Sequence, residues 1–298
     1  AAHAGHSHMR TALAATWTLL LGMALLMLGA GLQGTLVGLR ASLEGFPTLL
    51  AGIMLAAYYL GYMAGSVMTP GLVNSVGHVR VFAALTSLAS VLILLQGIFV
   101  APLPWTLVHI LSGCCFAGTY VVAESWLNGR VDNEHRGLLL SLYMLVCYAG
   151  LGLGQLLLNV ADPRSTLLFI LVSILISISM VPMALTSSSA PAISVPVRVN
   201  SRDLFRRSPL GVVGVAIAGA VSGCLAEVSR LVFFAMVAAY GGMSLTLYSL
   251  SSAHVNDHVP ADEKLGASST LILVNGAGAF IAPIVVAAIM QLIGNDAF

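Results

Sequence analysis

The stretch VVAESWLNGRVDNEHRG, residues 121–137, sets the pattern for the whole chain. A long uncharged, apolar run reaches Glu124, and a short charged loop follows. A second apolar run begins directly after Gly137. Two apolar helices joined by a short charged turn are typical of a chain that crosses a membrane and turns back.

The composition places most of the chain in lipid. Hydrophobic residues make up 58% of the 298 residues and charged residues only 8%, whereas soluble domains carry about 25% charge. The net charge of +1 argues against a nucleic-acid partner. The four cysteines all lie in apolar runs without metal-site spacing, so we expect free, packed thiols, no metal site and no cofactor; they are Cys114, Cys115, Cys147 and Cys224.

The same pattern recurs along the chain and predicts an all-α polytopic membrane protein with nine helices. The apolar segments are 11–36, 46–68, 80–101, 104–128, 137–159, 165–186, 209–226, 231–252 and 266–292. Residues 1–10 are expected to be a tail or tag remnant, and 11–186 a six-helix N-terminal bundle. The polar stretch 187–208 is expected to be a linker, and 209–298 a second bundle.

The basic residues predict the orientation. With the N-terminus in the cytoplasm, nine of the twelve basic residues fall on the inside, and the opposite orientation reverses this ratio. Because Lys and Arg are enriched in cytoplasmic loops, we expect a cytoplasmic N-terminus and linker.

A weak internal repeat relates 119–141 to 247–269 at an offset of 128 residues. It pairs Tyr120 with Tyr248, Asn128 with Asn256, Arg136 with Lys264 and Ser141 with Ser269. Repeated halves are typical of secondary transporters. The second copy lies much closer to the start of its own half than the first copy does. The segment that precedes it is therefore shorter by about two helices. We therefore expect part of the second half, together with the last helix, to be absent from this sequence, either naturally or because segments at 226–230 are missing.

Three stretches carry a resemblance to a known family. They are GLQGTLVGLRASLEGF (31–46), AYYLGYMAGSVMTPGLVNSVGHVRVFAA (57–84) and AESWLNGRVDNEHRGLLLSLYM (123–144). The chain resembles the major facilitator superfamily (MFS), and most of all its bacterial YcaD-like branch. The resemblance implies a two-bundle fold of twelve helices, of which about nine are present and the last three resemble helices seven, ten and eleven.

The resemblance also implies a cytoplasmic gate in the loop between helices two and three. Gly77, His78 and Arg80 fit the end of the superfamily signature, whereas Asn74 stands where an Asp is usual. An Asn accepts a hydrogen bond but forms no salt bridge, so this gate is expected to be weaker or built elsewhere. The gate residues that we predict are Asn74, Gly77, Arg80, Glu124, Arg130 and Arg136.

Glu124 allows three interpretations. It lies about 30 Å along its helix from Pro104 at 1.5 Å per residue, which places it near the cytoplasmic rim, and Trp126 beside it suits an interfacial aromatic belt. It is predicted to be a structural or gating partner of Arg130 or Arg136. It could instead be a proton-coupling acid or a solvated helix end.

Other polar residues are candidates for a substrate cavity or for the outer surface. Four polar residues lie deep in apolar segments: Gln33, Tyr58, Gln155 and Asn275. Each is expected either to line a substrate cavity or to join two helices by a hydrogen bond. Arg40 and Glu44 at the outer end of helix one form either an i, i+4 pair or an outer charge that attracts anionic substrates. The glycines of GAGLQG and of 150–154 are expected to allow close helix packing.

The resemblance implies a secondary active transporter, not an enzyme, in the bacterial inner membrane. Such a protein would move an unidentified small solute by alternating access as a symporter or antiporter, with protons as the candidate coupling ion. Its partners would be membrane lipids, and it would act as a monomer. The alternative is a non-transporting receptor or scaffold module of the same fold, which a genuinely shortened chain and the altered gate would favour.

Overall fold

The computed structural model describes residues 2–129, 133–185, 269–270 and 272–273. Its first part is a bundle of six helices: α1 (Ala2–Leu43), α2 (Thr48–Val76), α3 (His78–Ile98), α4 (Pro102–Asn128), α5 (Asn133–Leu156) and α6 (Leu167–Ala184). A short 3-10 helix, Leu157–Val160, follows α5. All six α-helices contain a stretch that is long and apolar enough to cross a membrane. The predicted helices 209–226 and 231–252 and most of 266–292 lie outside the described residues.

Helix α1 starts earlier than the sequence pattern predicts. Residues 2–10, which were expected to form a separate tail, are helical and continuous with the spanning segment. The stretch contains no proline, so a helix already nucleated in the apolar segment can extend through it.

The turn between α2 and α3 consists of a single residue, Gly77. Its φ of 89° and ψ of 161° fall in a region that is essentially restricted to glycine. Gly77 ends α2 and also starts α3. The signature glycine is therefore explained by backbone geometry.

Helix α2 also runs further than predicted, through Pro70 to Val76. Proline has no N–H, so the carbonyl of Ser66 four residues earlier loses its usual helical donor. The hydroxyl of Ser269 donates a hydrogen bond to that carbonyl oxygen at 2.6 Å. Ser269 thus supplies the hydrogen bond that Pro70, which has no N–H, cannot donate to the Ser66 carbonyl.

The packing of the bundle has an internal symmetry. Helix α2 packs along α4 as α5 packs along α1, and α3 packs on α4 as α6 packs on α1. Helices α3 and α6 pack on each other. Exchanging each helix with the one three positions later leaves this pattern unchanged, as in a bundle made of two three-helix repeats.

Glycines form the two tightest seams of the bundle. Gly61 and Gly65 on α2 face backbone carbonyls of α4, and Gly113 of α4 faces the carbonyl of Tyr58 on α2. In the equivalent seam between α1 and α5, Gly31 of α1 faces the backbone of Leu151, and Gly154 of α5 faces the backbone of Leu28. A Cβ at these positions would meet backbone atoms, so both seams depend on small residues. Gly34 and Gly152, which were predicted to share this role, face open space.

The outside of the bundle is apolar. Leu103, Leu107 and Leu111 form an exposed stripe along α4, whereas Trp105 and His109 on the same helix are buried. Since large exposed apolar surfaces mark contact with lipid or protein, this stripe and its equivalents suit a bilayer. The described part is thus a multi-pass helical membrane bundle.

Candidate functional site

A cavity of about 110 Å³ lies between α2, α4 and α5. Four of its eight lining residues are tyrosines, and one is a carboxylate. The lining residues are Tyr62, Tyr120, Glu124, Tyr143, Met144, Cys147, Tyr148 and Leu151.

The cavity reaches from the middle of the apolar spans toward the end of α4. Tyr62 falls at the middle of the span Leu49–Val76, and Tyr148 at the middle of the span Leu138–Val160. Glu124 lies one turn before the end of α4 at Asn128. A site near the bilayer midplane is the usual arrangement in secondary transporters.

Helical spacing brings these side chains together. Tyr120 and Glu124 are four residues apart on α4, and Tyr143, Cys147 and Leu151 follow the same interval on α5. Residues at this interval share one face of a helix. Two such faces and Tyr62 of α2 therefore converge on one space.

Glu124 is 2% exposed. Its position in the penultimate turn of α4 places a carboxylate near the negative end of the helix dipole, which favours basic residues instead. A buried ionisable group inside a membrane bundle is costly and usually marks a functional site. Glu124 is therefore a candidate functional residue.

A series of aromatic rings leads along α2 and α4 to the cavity. Tyr58 and Tyr62 have ring centroids 6.1 Å apart, and Tyr62 and Tyr120 are also 6.1 Å apart at an interplanar angle of 61°. The hydroxyl of Tyr120 contacts the sulfur of Met27 on α1 at 2.9 Å. The cavity wall is thus connected to three helices besides α5.

The end of α4 is tied to the start of α3 beside this cavity. His78 Nε2 and Ser125 Oγ lie 3.1 Å apart in a buried hydrogen bond. The ring of Trp126 packs edge to face on the His78 ring at a centroid distance of 5.7 Å. Trp126 is buried within the bundle, so its assignment to an interfacial aromatic belt is wrong because the histidine ring offers it an internal partner.

The residues predicted to form the cytoplasmic gate are only partly brought together. Asn74 is half-buried in the last turn of α2, Gly77 forms the turn, and Arg80 is exposed at the start of α3. Arg136 lies on α5, but its side chain and all of Arg130 are outside the described residues. The gate therefore stays a prediction, and so does the pairing of Glu124 with either arginine.

Of the four residues predicted to line a substrate cavity, the three that the structure describes are not in the lining of this one. Gln33 is buried on α1 and Tyr58 is half-buried among the α2 and α4 rings, whereas Gln155 is exposed on α5. Asn275 lies outside the described residues. A role for these four residues stays a prediction.

Arg40 and Glu44 form an ion pair, with Nε and Oε1 2.8 Å apart. Arg40 also donates from Nη1 to the carbonyl of Pro163, 3.1 Å away, in the loop before α6. Arg40 thus joins the end of α1 to that loop, and Glu44 balances its charge.

Sequence reasoning missed the tyrosines Tyr62, Tyr120, Tyr143 and Tyr148 and the thiol of Cys147. The regular spacing of the residues on α4 and α5 indicates that they share a helix face. The same spacing is found on any buried apolar face, so it does not by itself indicate a cavity. Within the described ranges, no three His, Cys, Asp or Glu side chains are grouped as a metal site would need.

Comparison with known proteins agrees with this architecture. The chain is 29% identical to the MFS-type transporter YcaD of Escherichia fergusonii over 209 residues, which are 70% of this chain and 55% of that protein. Its identity to an MFS-type transporter of Yersinia pseudotuberculosis is also 29%, over 212 residues. The chain thus spans about half the length of the curated relatives it matches. No family profile matches the sequence.

Solved structures share the fold. The chain aligns with the human organic anion transporter MFSD10 with a TM-score of 0.65 and 14% identity, covering 95% of each chain. It aligns with the nucleoside transporter NupG with a TM-score of 0.57 and 11% identity, covering 93% of this chain and 91% of the other. These relatives are named as transporters and not as enzymes. The chain is therefore similar in sequence to the YcaD-like MFS-type transporters, as its quoted stretches predict, and shares its fold with solved MFS transporters.

Proposed function

We propose that the protein is a secondary transporter that moves a small solute across the bacterial inner membrane by alternating access. The cavity between α2, α4 and α5 carries the proposal, because it connects tyrosines at the middle of two spans, Tyr62 and Tyr148, with a buried carboxylate near the end of α4. The names of the sequence relatives support a transporter. The distribution of basic residues supports a cytoplasmic N-terminus.

Protons are the proposed coupling ion, and Glu124 is the proposed carrier. Its side chain lines the cavity at the end nearer the α2–α3 turn, beside the bond between His78 and Ser125. A carboxyl group there can be charged in one state and protonated in another, and the charge decides how strongly it holds a solute. A solute and a proton would then occupy the same group in turn.

The transport proposal is tested with the full-length protein reconstituted into liposomes and supplied with a broad panel of labelled solutes. We expect uptake of at least one solute class above protein-free liposomes. An absence of flux for every solute would contradict the proposal and favour the receptor or scaffold alternative.

The coupling role of Glu124 is tested separately with Glu124→Gln. The variant should lose uptake driven by a pH gradient while retaining solute counterflow, because counterflow needs no net proton movement. Asp162→Asn, which removes an exposed carboxylate in the loop before α6, serves as the control. Unchanged pH-driven uptake by Glu124→Gln would remove the coupling role.

A further inference from the structure

We infer that the hydrogen bond between Ser269 and the Ser66 carbonyl is a latch, which holds the two halves together while the cavity is closed toward the α2–α3 turn. The inference rests on alternating access, which belongs to the proposed function, and names a contact that sets its balance. It follows from the position of the bond, from the acceptor that Pro70 leaves without a helical donor, and from the substitute partners that both groups have.

The latch lies one helical turn from the cavity. Tyr62 lines the cavity, and Ser66 follows it at an interval of four residues, so both lie on one face of α2. Ser66 is the nearer of the two to Gly77, which ends α2. Helical carbonyls point toward the C-terminal end of their helix, so the Ser66 oxygen also points toward this turn. Ser269 therefore contacts α2 between the cavity and the turn.

The acceptor is available because of Pro70. In a regular helix the N–H of residue 70 would donate to the Ser66 carbonyl, but proline has no N–H. The hydroxyls of Ser66 and Thr69 do not replace it, because each donates to a different carbonyl of α2. Ser66 is fully buried, and Ser269 reaches its carbonyl oxygen at 2.6 Å. A helix without the proline would offer the second half no free acceptor at this point.

Apolar packing accompanies the bond. Ile272, three residues after Ser269, is 1% exposed and belongs to the same apolar core as the helices of the first half. Both residues are helical, and residues at this interval share one face of a helix. One polar and one apolar contact therefore hold this face of the second half against the first.

Both partners of the bond can separate at low cost. When the halves part on this side, water can donate to the Ser66 carbonyl, and the Ser269 hydroxyl can bond to a carbonyl of its own helix. Removal of that hydroxyl acts on the closed state, which keeps a buried carbonyl without a donor, and leaves the open state unaffected. Since alternating access moves one bundle against the other, the latch shifts the equilibrium toward the state that is closed on the turn side.

The test measures from which side of the membrane the cavity is reached. The full-length protein with Cys147, which lines the cavity, as its sole cysteine is labelled with a membrane-impermeant methanethiosulfonate reagent in vesicles of each orientation. A separate Arg80→Cys variant, exposed beside the turn, identifies the vesicles that present the turn side outward. We expect Ser269→Ala to raise the ratio of turn-side to opposite-side labelling rates about fivefold, as one neutral hydrogen bond would. An unchanged or lowered ratio would overturn the inference.

Matched variants separate the latch from a general loosening of the bundle. Pro70→Ala restores an N–H donor to the Ser66 carbonyl, so it should raise the labelling ratio by itself, and Ser269→Ala should add little in that background. Ser90→Ala removes a serine bond of 2.7 Å to Ser173, which joins α3 to α6 within the first half, and should leave the ratio at the wild-type value. An equal shift by Ser90→Ala, or fully additive effects of the other two substitutions, would overturn the inference.

The latch and the transport function fail in different ways. Solute flux together with an unchanged labelling ratio in Ser269→Ala would overturn the latch and leave the transport function intact. A shifted labelling ratio without flux of any solute would support the latch and contradict the transport function.

Discussion

At the scale of single residues, Glu124 carries the main functional claim. It is buried, it lies near the negative end of α4, and it faces a cavity lined by tyrosines. A structural ion pair and a substrate- or proton-binding acid both place a carboxylate inside a bundle. They differ in what happens to stability when the charge is removed.

Glu124→Gln separates these two roles, because it keeps the shape of the side chain and removes its charge. A carboxylate that serves a solute or a proton should be dispensable for folding, so the thermal unfolding midpoint in detergent should stay close to that of the wild type while pH-driven uptake is lost. A marked fall in the midpoint would show that the carboxylate is half of a stabilising ion pair.

Gly77 is a second residue whose role can be isolated. Its backbone angles suit glycine only, so Gly77→Ala should destabilise the bundle by about 1–3 kcal/mol. Chemical denaturation monitored by circular dichroism would measure this loss. Gly71→Ala, in the exposed helical part of α2 with nothing within 4 Å of a Cβ, should be neutral or slightly stabilising, and an equal loss in both variants would argue against a turn-specific effect.

At the scale of helices, the glycine seams explain the pairing of α1 with α5 and of α2 with α4. Gly154→Ala places a Cβ against the backbone of Leu28 and should cost about 1–3 kcal/mol through overpacking. Gly152→Ala on the same helix meets nothing within 4 Å and should cost little. The same unfolding measurement compares the two, and similar losses would contradict the proposed seam.

The open carbonyl beside Pro70 makes a second prediction about an element. Ser269→Ala should weaken the bundle by about 1 kcal/mol, because it leaves the Ser66 carbonyl without its donor. Pro70→Ala restores a backbone donor to that carbonyl, so Ser269→Ala should cost little in that background. A double-mutant cycle on the unfolding free energy measures the difference, and strictly additive effects would contradict the account.

The six helices of the first half could be predicted from the sequence, because uninterrupted apolar runs of spanning length leave little alternative. Their ends could not, because α1 already begins at Ala2 and α2 continues through Pro70 to Val76. The Ser66 carbonyl that Pro70 leaves without a helical donor accepts its hydrogen bond from Ser269, which is distant in sequence. The cavity also could not be predicted from the sequence. Tyr62 comes from a helix distant in sequence from Tyr143, and only the packing of α2, α4 and α5 around one space shows that they meet.

At the scale of the whole molecule, the described bundle resembles one half of a two-bundle transporter. Its packing repeats after three helices, and Ser269 of the second half contacts α2. The cavity lies on the side of the bundle formed by α2, α4 and α5.

Cys147 offers the most direct test of the claim that this cavity is the transport site. It lines the cavity, and with every other cysteine of the full-length protein replaced by serine its labelling by a small methanethiosulfonate reagent reports access to that space. In proteoliposomes, a transported solute should slow the labelling of Cys147 in proportion to its occupancy. Labelling at the same rate with and without a solute that the protein transports would contradict the account.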